Sequence, residues 1–183
     1  MAKRTKKVVR RSVKSIAIKN NLVVHECARK PYQIFCEFFK AEVDAFSLDR
    51  ALLLEVVEID EQYYFFESFR EVGLLTNGTE ISIRRVGFSK AEIERRAWSC
   101  LMNEFIDVNP INPKVFEAIK SSMPAQMQQA LFNKPLTIQY ILDIKGLKRH
   151  HYDYQTSLYR NQQHTKIPPF SELIAEVRYD NNN

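Results

Sequence analysis

Residues 59–86 read IDEQYYFFESFREVGLLTNGTEISIRRV, and the order of patterns within this stretch decides the fold. Tyr63-Tyr64-Phe65-Phe66 is a run of β-favouring aromatics with no helical period, so it reads as a buried strand. From Phe69 the period changes. Phe69, Val72 and Leu75 fall at i, i+3 and i+6, one face of a short helix, and Asn77-Gly78 reads as a left-handed helix stop. EISIRRV (80–86) alternates Ile81 and Ile83 with Ser82 and Arg84, the pattern of a half-buried strand. A strand that feeds a helix and returns as a strand is an α/β unit. The junction at Glu67-Ser68-Phe69-Arg70 is also a place where such a fold can hold phosphate, because the free N–H groups at a helix start attract anions.

Working outward, ALLLEVVEI (51–59) is a second strand, separated from the aromatic run by Asp60-Glu61-Gln62, so the two read as a hairpin. NLVVHE (21–26) is a short strand. After Pro31, YQIFCEFFKAEVDAF spaces Phe35, Phe38, Phe39, Val43 and Phe46 as the inner stripe of a helix. On the other side, Ser89 and Glu92 form an S-x-x-E capping box. Ile93, Ala97, Leu101 and Phe105 then repeat every four residues until Asp107-Val108-Asn109-Pro110. From residue 111 the pattern is helical, punctuated by Pro113, Pro124, Pro135 and Gly146. The expected architecture is an α/β (α+β) domain over 21–110 followed by a small all-α domain over 111–183.

The chain has 183 residues, 45% hydrophobic and 27% charged, enough for one domain with a small appendage. No apolar run approaches the length of a membrane helix and no signal-type segment follows the basic start, so a cytoplasmic protein is expected. Cys27, Cys36 and Cys100 match no zinc spacing, and the adjacent His150 and His151 are poorly placed to share a metal. No metal or cofactor is expected.

The net charge of +5 is unevenly spread. Residues 1–21 carry eight basic and no acidic residues, 22–110 carry ten basic and sixteen acidic, and 111–183 carry nine basic and six acidic. Polyanion contacts are therefore expected at the ends. Residues 1–20 read as a flexible basic arm whose Lys3, Arg4, Lys6, Lys7, Arg10 and Arg11 are suited to phosphates.

The ordered set of segments resembles the N-terminal domain of the ParB family, the chromosome and plasmid partition proteins, which shares its fold with sulfiredoxin. The likeness covers 21–110. Lys30-Pro31-Tyr32-Gln33 matches the core of that family's Asn-Pro-Tyr-Gln-Pro-Arg element. LLLEVVEIDEQYYFFESFREVGLLTNGTEISIRRV follows its strand, hairpin, helix and strand, and SKAEIERRAWSCLMNEFIDVNP follows its next helix. The family's phosphate motif, Gly-Glu-Arg-Arg, corresponds here to Glu67, Ser68, Phe69 and Arg70. A carboxylate has replaced the glycine, and one arginine remains. The positions of the family's Glu-Asn-x-x-Arg are Leu101, Met102 and Phe105. The resemblance thus implies a degenerate nucleotide pocket, with Ser68 and Arg70 as a residual phosphate site and no catalytic residue. Arg70 has the alternative of a salt bridge to Glu67 or Glu71.

The same family places a helix-turn-helix after this domain, and residues 136–160 fit one. Leu136–Ile144 is the first helix, with Ile138, Ile141 and Leu142 inward. Gly146 makes the turn, Leu147 packs beneath it, and a second helix carries Tyr152 and Leu158 toward the core. Lys148, Arg149, His150, Gln155 and Arg160 then face outward as candidate contacts to double-stranded DNA. Lys145 stands where an apolar residue is usual. Tyr140, Tyr152, Tyr154 and Tyr159 have two readings, stacking on single-stranded bases or packing. In the tail, Phe170, Leu173, Ile174 and Val177 form an amphipathic stripe capped by Ser171.

The leading expectation is a homodimeric, sequence-specific DNA-binding protein of ParB-like type, a transcription regulator or plasmid partition factor on a mobile element. Two alternatives come from other classes. One is a divergent ParB-like nuclease or CTP-dependent switch using Arg70 with Glu67 and Glu71. The other is a protein-interaction module whose basic ends are incidental.

Overall fold

The hairpin at the centre of the molecule shows how local chemistry sets the register. In the structure, a computed structural model describing residues 14–39, 53–108 and 110–164, strands β3 (Leu53–Ile59) and β4 (Gln62–Phe65) pair antiparallel with Ile59 opposite Gln62. Only Asp60 and Glu61 remain in the turn, at φ 49° and 62°. Two left-handed central residues make the type I′ turn whose twist matches the flanking strands. Gln62, expected in the turn, is the first residue of the strand.

The other strands are β1 (Lys14–Ile18), β2 (Leu22–Val24) and β5 (Glu80–Arg85), giving a five-stranded sheet in the order β1-β5-β3-β4-β2. β1 pairs antiparallel with β5, β5 parallel with β3, and β4 parallel with β2. The basic arm expected over 1–20 therefore ends sooner. Residues 14–18 form an edge strand along β5, with Ala17 buried and Ile16 and Ile18 exposed. Lys3, Arg4, Lys6, Lys7, Arg10 and Arg11 lie outside the described residues, as do Val43, Phe46 and the tail stripe at 170–177.

Leu54, Val56, Phe65, Ile81 and Ile83 alternate onto one buried face of the sheet. Against it pack α1 (Arg29–Phe38) and α3 (Lys90–Asp107). The aromatic run closes this layer. The Tyr32 ring on α1 meets Phe65 edge-on at 5.2 Å and Phe69 at 5.3 Å, and Phe35 lies 5.7 Å from Phe69. Such pairs add about 0.5–1.5 kcal/mol each beyond their buried area. Phe69 opens the short α2 (Phe69–Leu74), which ends at an extended Leu75. The expected stop at Asn77-Gly78 lies further on, in the tight turn from Thr76 to Thr79, where Gly78 takes φ 84°.

The capping box at α3 is half formed. Ser89 Oγ accepts from the Glu92 N–H at 3.2 Å, while the Glu92 carboxylate turns forward to Arg95 and Arg96 instead of back to Ser89. Two guanidiniums one turn away outcompete a backbone N–H for that carboxylate.

Four helices follow: α4 (Pro113–Ser122), α5 (Ala125–Phe132), α6 (Ile138–Lys145) and α7 (Arg149–His164). Asn112 caps α4 through the Lys114 N–H at 3.0 Å, with Pro113 at the first position. Gln128 bridges the α5–α6 connection, donating to Met123 O and accepting from the Leu136 N–H. The boundary expected at residue 110 carries no break in the core. Phe105 of α3 stacks on Phe116 of α4 at 6.4 Å, and Phe116 meets Tyr152 of α7 at 6.1 Å, so one hydrophobic cluster runs from Ala17 to Tyr152. Among the described residues, no helix is long and apolar enough to cross a membrane.

Candidate functional site

Two places carry the polar chemistry anticipated above: the cleft between α2 and α3, and the α6–α7 hairpin.

The cleft has a volume of about 420 Å³ and is bounded by Glu67, Ser68, Glu71, Arg95, Arg96 and Cys100 among others. Its carboxylates and guanidiniums neutralise one another. Arg96 donates to Glu92 at 3.0 Å and to Glu55 at 2.8 Å, reaches Glu67 at 3.5 Å, and lies 4.2 Å over the Phe88 ring. Burial pushes the Glu67 carboxyl above its ordinary range, with Arg96 opposing the shift and Glu55 adding to it. A phosphate placed here would meet this carboxylate where the resembling family has a glycine.

Arg70 does not face the cleft as a free guanidinium. Its Nε and Nη2 both donate to Glu104 Oε2, at 3.0 and 2.5 Å. The expected partners were Glu67 or Glu71. Glu104 takes that role because α3 runs beside α2 and brings its carboxylate, only 17% exposed, against the Arg70 side chain. Ser68 sits at φ 58° with no side-chain capping bond, so the left-handed residue of the junction falls one place after Glu67. Holding a non-glycine residue there costs on the order of 1 kcal/mol.

The backbone N–H groups of Phe69 and Ser68 face the thiol of Cys100. Burial dominates its titration and pushes it from 9.0 up to about 11, the two amides only partly offsetting that effect. A neutral thiol is the form that suits this position. Leu101, Met102 and Phe105, at the positions of the family's second nucleotide motif, are all buried in the core. Sequence reasoning passed over Cys100, Glu104, Arg95 and Arg96. The signal was available in the polar face of α3, where Arg96, Cys100, Asn103 and Glu104 recur at helical spacing. Among the described residues, no group of three or more His, Cys, Asp or Glu could hold a metal ion.

In the α6–α7 hairpin, Thr137 Oγ1 accepts from the Tyr140 N–H at 3.3 Å and starts α6. Ile141 and Leu142 are fully buried, and Ile138 packs at the core's edge. Gly146 takes φ 63°, and the Leu147 N–H closes back on Leu142 O at 2.9 Å, the Schellman pattern that lets a glycine end a helix. Three residues, 146–148, join the helices. The Lys145 ammonium, unexpected at an inward position, donates to Ile106 O and to Val108 O, capping the end of α3.

The candidate DNA contacts divide. Lys148, Arg149, His150 and Arg160 are exposed. Arg149 and Arg160 lie about 20° apart around α7 and share a flank, where Arg149 Nε is paired with Asp153 at 3.1 Å. Gln155 does not join them. It is half-buried on the other side of α7, in a crevice with Pro110, Ile111 and Leu147. Leu158 was expected in the core but is 37% exposed, because it lies about 120° around the helix from the buried Tyr152. Tyr154 is 62% exposed; Tyr140 instead packs on Phe132 and under Lys134, and Tyr159 lies beneath Lys114. No protein-family model, curated protein or solved structure matches this chain.

Proposed function

We propose that this chain is a non-enzymatic, sequence-specific binder of double-stranded DNA, a ParB-like regulator or partition-type factor with a degenerate nucleotide pocket. The observation that supports it best is the α6–α7 hairpin. A left-handed Gly146 and a three-residue turn leave Lys148, Arg149 and His150 exposed at the start of a sixteen-residue helix. A recognition helix reads base edges with its first turn, and Arg160 about three turns on can reach a phosphate. The cleft supports the rest of the reading: Arg70 is occupied by Glu104, Glu67 opposes anions, and the Phe69 and Ser68 amides face the Cys100 thiol. Reading two half-sites calls for a homodimer, and a cytoplasmic setting on a mobile element fits such a role.

The test is selection from a random double-stranded DNA library by the full chain and by Lys148→Ala/Arg149→Ala. The wild type should enrich a motif that the variant does not. Each lost phosphate contact should also lower the slope of log K against log salt by about 0.9. Equal enrichment by both proteins refutes the recognition-helix assignment. CTP or ATP binding by calorimetry refutes the degenerate pocket.

A further inference from the structure

Among the described residues, His25 is the only buried side chain outside the hydrophobic set, at 4% exposed. It stands where β2 passes into α1 through the single turn Glu26–Ala28, with no longer loop between them. Three bonds shape that hinge. The His25 N–H donates to Phe65 O at 2.8 Å and holds the chain to β4, while the Ala28 N–H donates to His25 O at 2.9 Å. The Cys27 N–H donates to the His25 ring at Nδ1, at 3.2 Å. A backbone N–H can only donate, so Nδ1 must present a lone pair and the ring proton sits on Nε2. The hinge therefore uses this histidine in its neutral form.

We propose that His25 is an acid-released latch: a proton on Nδ1 sets two N–H groups against each other, breaks the turn and loosens the hinge between β2 and α1. The groups that face the ring do not replace the lost bond. Tyr64 of β4 meets the imidazole edge-on at 6.1 Å. Glu26 of the turn and Lys90 of α3 are the nearby charges, and they pair with each other at 2.5 Å, so their effects on the ring oppose. Burial outweighs both and holds the imidazole below its ordinary 6.5. The folded hinge thus takes up a proton less readily than the opened one. Its stability is complete above the ordinary value and is lost as pH falls below it, until the folded ring itself titrates. The latch governs the seat of α1. Ala28 at the foot of the helix is fully buried, and Tyr32 and Phe35 rest the helix on Phe65 and Phe69. None of this depends on DNA binding, and the latch holds equally for a protein that binds none.

The test is NMR of the isotope-labelled full chain from about pH 7.5 to about pH 5. It follows the His25 ring nitrogens and the hydrogen-exchange protection of the Cys27 and Ala28 amides. At the upper end Nδ1 should be unprotonated. Below about pH 6.5, protection corrected for intrinsic exchange should fall by up to about tenfold per pH unit. His25→Asn offers Oδ1 to the Cys27 N–H and does not titrate, so its protection should stay level across the range. A protonated Nδ1 at about pH 7.5, wild-type protection that ignores pH, or an equal fall in His25→Asn would each overturn the proposal. The first two readings come from the wild type alone and decide the matter even where the variant does not fold.

Discussion

Cys100 offers a quantitative check on the cleft, because its titration separates a filled, inert site from a reactive one. Burial holds the thiol at about 11 against an ordinary 9.0. At pH 8 the thiolate fraction is then about 0.001, against about 0.1 for an unshifted thiol, so alkylation should be slower by on the order of 100-fold on this ground alone. The rate should rise about tenfold per pH unit and show no plateau below pH 11. Iodoacetamide labelling read peptide by peptide, in the native chain and in urea, measures this directly. The same shift has a stability consequence. The folded chain holds the Cys100 proton more tightly than the unfolded chain, so the stabilisation is complete below about pH 9 and is lost as pH rises to about 11. A two-unit shift corresponds to about 2–3 kcal/mol at most, and partial solvent contact reduces it. Urea denaturation across that window should show a steeper fall for the wild type than for Cys100→Ala. Native labelling at pH 8 as fast as in urea, with a plateau near pH 9, would refute the reasoning and turn the cleft into a candidate thiol site.

Other expectations are simpler. Gly146→Ala should cost about 1 kcal/mol, or about 2–4 °C in melting temperature; nothing lies within 4 Å of the added Cβ, so the cost is that of φ 63° alone. Leu142→Ala, at a fully buried position, should cost about 3 kcal/mol in urea denaturation. A double-mutant cycle on Arg70 and Glu104 should return a coupling below about 1 kcal/mol, because the arginine side chain is 52% exposed. A coupling several times larger would show that the pair is structural and not merely a quenched anion site. Thr137→Ala should cost about 1 kcal/mol through loss of the α6 cap.

The elements with a strong local signature were legible in the sequence. Alternation placed Ile81 and Ile83 in the core, the four-residue repeat of α3 was right residue by residue, and Gly146 marked the hairpin. What escaped depended on partners distant along the chain. β1 is a strand because β5 is beside it, and nothing within Lys14–Ile18 announces that neighbour. The occupation of Arg70 by Glu104 and the placement of Cys100 against the α2 amides follow from the packing of α3 on α2, which no local pattern encodes. Leu158 departs from expectation because apolar character does not by itself mean burial. Counting 100° per residue from Tyr152 would have turned it outward.

The Lys145 ammonium carries a consequence of its own. It sits at the last turn of α6 and clasps the final carbonyls of α3, so one charged group pins the hairpin to the far end of the helix that walls the cleft. α3 is in that sense a shaft with a fitting at each end. A load applied to α3 at Arg96 and a load applied through α6 would act on the same helix, so any coupling between its two ends is reciprocal.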